Sequence, residues 1–224
     1  MDKSNGTQTN IPKEELFNEQ CSDCRKNIKV SRERAEKYET FLCDKCKEKR
    51  WLEKVIKKAK TIIPKKFWGI DTEKPLDEYE YKICSLFLHG KAGVGKTVLA
   101  CSLAKLYIRQ GYEVKFISYP AFIMDLQGMF LYKDADAYGY AKEVACFKGE
   151  LIIDDLGAVK LTDFVRQITY YIINEREMKC LPTIITSNFG LNEIDEMIDS
   201  RISSRISGMC EVLQIKGKDR RLKI

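Results

Sequence analysis

The chain has 224 residues, enough for one α/β domain with a small appendage, and its 44% hydrophobic and 32% charged residues are typical of a soluble globular protein. No apolar run approaches the ~18 residues that cross a bilayer, and the polar N-terminus lacks the apolar core of a signal peptide. These features exclude membrane and secreted classes, so we expect a cytoplasmic protein.

The formal net charge of +6 is concentrated at the N-terminal end. Residues 1–66 hold 18 Lys and Arg against 11 Asp and Glu, whereas the rest of the chain holds 21 against 22. A basic segment of this kind indicates an acidic or polyanionic partner, unless its lysines only form a solvated helix surface.

Residues 1–20 are polar and are predicted to be flexible. Residues 21–61 are predicted to be a four-cysteine module that ends in a Lys-rich helix from Lys47 to Thr61, where apolar residues recur at helical spacing. Residues 62–75 are predicted to be a connector, because Pro64 stops the helix.

Two CxxC pairs are the main feature of this module. The spacing between the pairs is typical of a structural zinc site, in which four thiolates complete a tetrahedron. A redox role is the weaker alternative, since it makes two matched pairs a coincidence. Zinc is expected to order a segment that is too small to fold around its own core. The predicted ligands are Cys21, Cys24, Cys43 and Cys46.

Residues 76–224 are predicted to form the main domain, in which short apolar strands alternate with helices. This order is typical of an α/β fold with a mainly parallel sheet covered by helices on both faces. The predicted strands are Ile83–Leu88, Val114–Ser118, Leu151–Ile153, Thr183–Ser187 and Val212–Ile215. The predicted helices are Lys96–Arg109, Pro120–Tyr132, Asp163–Lys179 and Asn192–Ile206, with a loop or loose helix at 133–142.

The residues between the first strand and helix of this domain read GKAGVGKT and match the phosphate-loop pattern GxxxxGK[ST]. Glycines let backbone N–H groups point at phosphate oxygens, and the following helix adds the positive end of its dipole. Lys96 is expected to reach the β- and γ-phosphates of ATP, and Thr97 to offer its hydroxyl to Mg²⁺. The predicted nucleotide contacts are Gly90, Lys91, Ala92, Gly93, Val94, Gly95, Lys96, Thr97 and Val98.

Two further polar motifs follow predicted strands. Asp154 is expected to hold Mg²⁺, and Asp155 is then placed to polarise the attacking water. Asn188, in the sequence Thr-Ser-Asn, is expected to sense the γ-phosphate, although this triplet alone is only a turn. The three motifs together predict an ATPase that hydrolyses ATP to ADP and phosphate.

In this order and spacing, the motifs resemble AAA+ ATPases, and more closely the DnaC/DnaI-type helicase loaders and their IstB-like relatives. The resemblance covers about residues 62–224. The segments that carry it are IPKKFW, LFLHGKAGVGKTVLA, LIIDDLG, LPTIITSN, IDSRISSRI and KGKDRRLK. It implies a P-loop AAA+ core, in which relatives often have Glu at the position of Asp155.

The resemblance also implies roles for three arginines. Arg205 best matches the arginine finger that reaches the γ-phosphate of a neighbouring subunit, with Arg201 as the rival four residues earlier. This implies an ATP-dependent homo-oligomer. A surface pairing of the two arginines with Asp195 or Asp199 is the alternative. Arg221 matches an arginine that touches nucleotide in its own subunit, and the short remaining chain implies that no full helical lid is present.

The implied partners are a replicative DNA helicase, bound through residues 1–61, and single-stranded DNA, with ATP switching the assembly. The Lys-rich helix could instead contact DNA. Aromatic and Lys residues suited to stacking on bases occur between 120 and 148, although core packing explains the Phe residues equally well. They are Phe122, Phe130, Tyr132, Lys133, Tyr138, Tyr140 and Lys142.

Other functions remain open at the level of sequence. An IstB-like transposition helper shares the ATPase core and acts on duplex DNA with a transposase. A zinc DNA-binding regulator that uses ATP structurally is a second alternative. A small-molecule kinase is a more remote alternative, because that function would leave the Thr-Ser-Asn triplet and the paired arginines unexplained.

Overall fold

The computed structural model describes residues 16–69, 85–130 and 136–219. Within these ranges, no helix combines the length and the apolar character that a membrane span needs. The chain divides into two compact units, residues 1–54 and 55–224. Arg221, Tyr132 and Lys133 lie outside the described residues, so the predictions made for them have no structural counterpart.

The first unit begins with an antiparallel pair of strands, β1 (Leu16–Gln20) and β2 (Asn27–Ser31), in which Gln20 lies opposite Asn27. Helix α1 (Arg32–Lys37) follows, and helix α2 (Asp44–Ile62) starts directly after Cys43. Residues 16–20, predicted to be flexible, form a strand because their backbone groups pair with β2.

The second unit is built on a sheet of five parallel strands in the order β4-β5-β6-β3-β7. The strands are β3 (Leu86–His89), β4 (Val114–Ser118), β5 (Glu150–Leu156), β6 (Thr183–Ser187) and β7 (Glu211–Gln214). The helices are α3 (Lys96–Arg109), α4 (Tyr119–Met129), α5 (Ala137–Ala145), α6 (Asp163–Met178), α7 (Leu191–Met197) and α8 (Ser200–Met209). A short 3₁₀ helix, η1, spans Lys65–Phe67.

Alternate residues of the strands pack into two separate cores, because successive side chains of a strand point to opposite faces of the sheet. Leu86, Leu88 and Ile152 pack with α3, whereas Phe87 and Ile153 pack with α4, α5, α6 and α8. Helices therefore cover both faces, which confirms the predicted α/β class. Because all five strands are parallel, their carboxyl ends meet at one edge, where such sheets bind ligands.

In the second unit, three differences from the predicted elements stand out. The single helix predicted at 192–206 is two helices, because the Asp199 carboxylate accepts the N–H of Arg201 and starts α8. The segment predicted as a loop or loose helix at 133–142 is helical from Ala137, and this helix, α5, continues to Ala145; Asp136 caps it, because its carboxylate accepts the N–H of Gly139. Strand β5 continues past Ile153 to Leu156 and so includes both acidic residues.

Candidate nucleotide-binding site

The predicted phosphate loop connects β3 to α3 at the carboxyl edge of the sheet. Gly93 and Gly95 have φ angles of 79° and 110°, a region of backbone conformation that favours glycine. Gly95 is the N-cap of α3 and has no side chain to accept the N–H groups of the first turn. These N–H groups can therefore bind an anion at the helix N-terminus.

Lys96 is buried, with 5% of its surface exposed, and its Nζ lies within the loop. Nζ donates hydrogen bonds to the carbonyl oxygens of Gly90 (2.8 Å) and Lys91 (2.9 Å), and to Oδ1 of Asn188 (2.8 Å). The structure thus brings together two residues that lie 92 positions apart in the sequence. A buried ammonium with polar partners at this place can exchange neutral acceptors for phosphate oxygens.

The two acidic residues of β5 lie in different environments. Asp154 is buried, and its Oδ1 accepts a hydrogen bond from Oγ1 of Thr186 (2.7 Å). Burial raises the pKa of Asp154 above its ordinary value, although hydrogen bonds from Thr186 and Thr97 oppose this shift. Asp155 is half-buried and has a φ of 60°. The carboxylate of Asp154 and the hydroxyl of Thr97 are oxygen donors of the kind that Mg²⁺ prefers, so the pair fits this ion.

A cavity of about 260 Å³ lies over the loop. Side chains from η1 form part of its wall, and Lys66 and Phe67 were not predicted as site residues because only the resemblance marked their segment. An aromatic ring and an ammonium beside a phosphate loop can contact a nucleotide base. The lining residues are Lys66, Phe67, Ala92, Gly93, Gly95, Lys96, Thr97, Val98, Asp155 and Asn188.

The two arginines of α8 are not among the residues that line this cavity. Arg205 forms an ion pair with Glu177 and donates to the hydroxyl of Tyr170 (3.0 Å). Arg201 pairs with Asp199 (2.7 Å), and its hydrogen bonds lower the pKa of Asp199 to about 2. Both guanidinium groups also lie over the ring of Tyr170, at 4.9 Å for Arg201 and 5.2 Å for Arg205. The surface pairing weighed from sequence is thus present for Arg201 with Asp199, while Arg205 has Glu177 as its partner.

The four predicted zinc ligands form a cluster in the first unit. The Sγ atoms of Cys21, Cys24, Cys43 and Cys46 all lie within 4.8 Å of one another. The N–H of Cys43 donates to Sγ of Cys21 (3.3 Å), and backbone hydrogen bonds from Cys43 and Cys24 lower the pKa of Cys21 to about 6. N–H donors that favour a thiolate and four converging sulfurs fit a tetrahedral zinc ion.

The aromatic residues proposed from sequence for stacking on DNA divide into two groups. Phe122 is buried and packs against Tyr140, with ring centroids 5.3 Å apart, so it belongs to the core. Phe130 and Tyr138 are exposed, at 64% and 67%. Phe164 supports Phe130 at 5.4 Å, edge to face, so this ring is held from below while its outer surface is open. Lys142 is exposed on α5.

Comparison with known proteins supports this description of the second unit. The chain is 25% identical over 149 residues to the replicative helicase loader DnaI of Bacillus subtilis. The aligned region covers 61% of this chain and 47% of DnaI. It is 32% identical over 114 residues to an ATP-binding protein of an insertion sequence from Mycobacterium tuberculosis, covering 48% and 42% respectively. The chain therefore spans less than half the length of either curated relative.

A solved structure and a family match extend the comparison. The crystal structure of the DnaC helicase loader superposes with a TM-score of 0.56 at 26% identity, covering 68% of this chain and all of that one. The family described as IstB-like ATP binding protein matches residues 75–224, which is more than half of the chain and includes the phosphate loop. This chain is therefore a member of the family of IstB-like ATP binding proteins.

Proposed function

We propose that this chain is a helicase loader whose assembly is switched by ATP binding and hydrolysis. The observation that carries the proposal is the convergence of Lys96, Asp155 and Asn188 on one cavity, whereas Arg205 is paired with Glu177 and is not among the residues that line it. Among the described residues, this cavity has the groups to bind ATP but no arginine in its lining, and a neighbouring copy could supply one.

Each residue of the site has a distinct role in this proposal. The Lys96 ammonium exchanges the loop carbonyls for β- and γ-phosphate oxygens, and the backbone of residues 90–98 holds the rest of the triphosphate. Thr97 and Asp154 hold Mg²⁺, which supplies charge neutralisation and orientation of the phosphates. Asp155 orients the attacking water, and Asn188 contacts the γ-phosphate. Phe67 is suited to contact the adenine.

Arg205 is proposed as the finger that acts on a neighbouring copy. Its guanidinium is held by Tyr170 and Glu177 on the surface of the second unit, where another copy could reach it. The test is ATP hydrolysis by Arg205→Ala and Arg201→Ala, since removal of an arginine finger costs about 10³–10⁵-fold in turnover. A loss in Arg201→Ala with normal turnover in Arg205→Ala would assign the finger to Arg201.

The zinc cluster is proposed as the docking module for a replicative helicase, with the resemblance and the basic charge of this part of the chain as support. The test captures the full chain on an immobilised replicative helicase. Cys24→Ser is expected to abolish capture, because three thiols and a serine hold zinc poorly. Cys180→Ser is the matched control, since Cys180 is exposed and lies outside the cluster. Equal capture of both variants would refute the assignment.

Single-stranded DNA is proposed as the second ligand, with the exposed rings of Phe130 and Tyr138 and the exposed Lys142 as the candidate contacts. Measurement of ATP turnover with single-stranded and with duplex DNA tests this ligand and also a second candidate function. The similarity to an insertion-sequence ATP-binding protein favours a transposition helper as that second candidate. Stimulation by duplex DNA alone would support the helper and contradict the loader.

A further inference from the structure

The two acidic residues of β5 lie at an irregularity of the sheet. Ile153 pairs with Ile185 on β6, and Leu156 pairs with Ser187, so β5 has one residue more than β6 between these two pairs. This is a β-bulge, a feature that re-aims side chains beside active sites. Asp155 takes up the extra length with a φ of 60°, a conformation that a residue with a Cβ adopts only under constraint.

One hydroxyl connects both acidic residues to the neighbouring strand. Oγ1 of Thr186 accepts the backbone N–H of Asp155 (2.9 Å) and donates its hydrogen to Oδ1 of Asp154 (2.7 Å). A hydroxyl carries a single hydrogen, so these two bonds give it fixed donor and acceptor directions. Thr186 is fully buried, with 0% of its surface exposed, so its hydroxyl makes these bonds out of contact with bulk solvent.

The residue directly after this strand, Asn188, is the predicted γ-phosphate contact. Asn188 follows Thr186 by two residues, and its Oδ1 accepts from Nζ of Lys96 (2.8 Å). Strand β6 therefore connects the two acids of β5 to the ammonium of the phosphate loop. A hydroxyl that fixes Asp154 and the backbone of Asp155 sets where both carboxylates lie relative to Lys96.

We propose that Thr186 is a positioning residue that holds Asp154 and the bulged backbone of Asp155 in the geometry required for Mg²⁺ binding and ATP hydrolysis. The inference rests on the proposed ATPase function. Thr186 touches neither nucleotide nor metal in this account and acts through the two acids. Positioning residues behind metal ligands typically change metal affinity or activity by about 10–100-fold when they are removed.

The test compares pairs of variants that differ in the hydroxyl. Thr186→Val keeps the shape of the side chain, and Thr186→Ser keeps the hydroxyl. We expect Thr186→Val to lose about 10–100-fold in kcat and to need more Mg²⁺ for half-maximal turnover, while binding of ATP in EDTA changes little. Thr186→Ser is expected to retain most of the activity. Thr169→Val is the matched control, because it removes another buried hydroxyl, whose hydrogen bonds go to Val165 and Tyr119 and not to the acids.

Two results would overturn the assignment: turnover and Mg²⁺ requirement of Thr186→Val equal to those of Thr169→Val, or no advantage of the serine variant over Thr186→Ala. The Ser and Ala variants provide the same comparison if the valine variant does not fold. If the wild-type chain hydrolyses no ATP, the proposed function fails by itself. The Mg²⁺ dependence of ATP binding by the same variants then still decides the role of Thr186.

Discussion

Arg176 offers a stringent test of how the sheet holds the site together. It lies on α6, is fully buried, and donates hydrogen bonds to groups at the starts of β5 and β6. The three shortest go to the carbonyl of Pro182 (2.6 Å), to Oγ1 of Thr183 (2.7 Å) and to the carbonyl of Phe147 (2.9 Å). The carbonyls of Ala145 and Gly149 accept two longer bonds. We expect Arg176→Met to be among the most destabilising single changes in this unit.

The magnitude follows from the bonds and from the cost of burial. Hydrogen bonds from a charged donor contribute about 1.5–3 kcal/mol each, so the three short ones contribute about 4.5–9 kcal/mol. Burial lowers the pKa of Arg176 to about 10, which corresponds to a penalty of about 3 kcal/mol. The expected loss in the free energy of unfolding is therefore about 2–6 kcal/mol.

Urea unfolding followed by circular dichroism measures this loss. Arg176→Lys should fall between wild type and Arg176→Met, because one ammonium cannot reach all the acceptors of a guanidinium. Arg32→Met is the control, since its ion pair with Glu36 is exposed on both sides and should contribute little. A loss below about 1 kcal/mol in Arg176→Met would show that the carbonyls find other partners and would refute the reasoning.

Three further predictions concern charge and metal. Burial raises the pKa of Glu150 from 4.5 to about 7, so the folded chain binds this proton more tightly than the unfolded chain does. The free energy of unfolding should therefore fall as pH rises from about 4.5 to 7. Glu150→Gln should flatten this pH dependence in urea titrations, and an unchanged slope would contradict the assignment. Removal of zinc with a chelator should make residues 16–54 sensitive to protease and leave ATP binding by the second unit intact. If these residues still resist the protease after all metal has been removed, a structural metal is excluded. Glu177→Gln removes the ion pair of Arg205, which leaves the guanidinium free to reach a neighbouring copy. The protein concentration that gives half-maximal ATPase activity should therefore fall by about two- to fivefold. A higher concentration for half-maximal activity would mean that Glu177 orients the finger.

The sequence predicted the regular elements best where local pattern and tertiary packing agree. The helix Lys96–Arg109 and the strands Val114–Ser118 and Thr183–Ser187 have their predicted bounds, because a glycine, a polar residue or a turn marks each end. Helix α5 was predicted only as a loop or loose helix, because Gly139 and the acidic residues before it disfavour a helix locally. Its buried face of Ala137, Ala141 and Val144 packs in the core and outweighs that preference.

The site shows the same division between local and long-range information. The glycines and Lys96 of the phosphate loop are close in sequence, so their pattern indicated the site directly. The bulge at Asp155 and the hydroxyl of Thr186 depend on the register of β5 against β6, which no local pattern specifies. Likewise, Lys66 and Phe67 line the cavity only because η1 lies beside the loop in the folded chain.

The central claim is that a neighbouring copy completes the ATPase site, and mixing two inactive variants tests it most directly. Lys96→Ala should lose phosphate binding but keep its finger, whereas Arg205→Ala should keep its site and lose the finger. If the finger acts on a neighbour, a mixture of the two should regain a substantial part of the wild-type turnover, because Lys96→Ala subunits supply Arg205 to intact sites. A mixture as inactive as its components, under conditions where wild-type chains hydrolyse ATP, would contradict the claim.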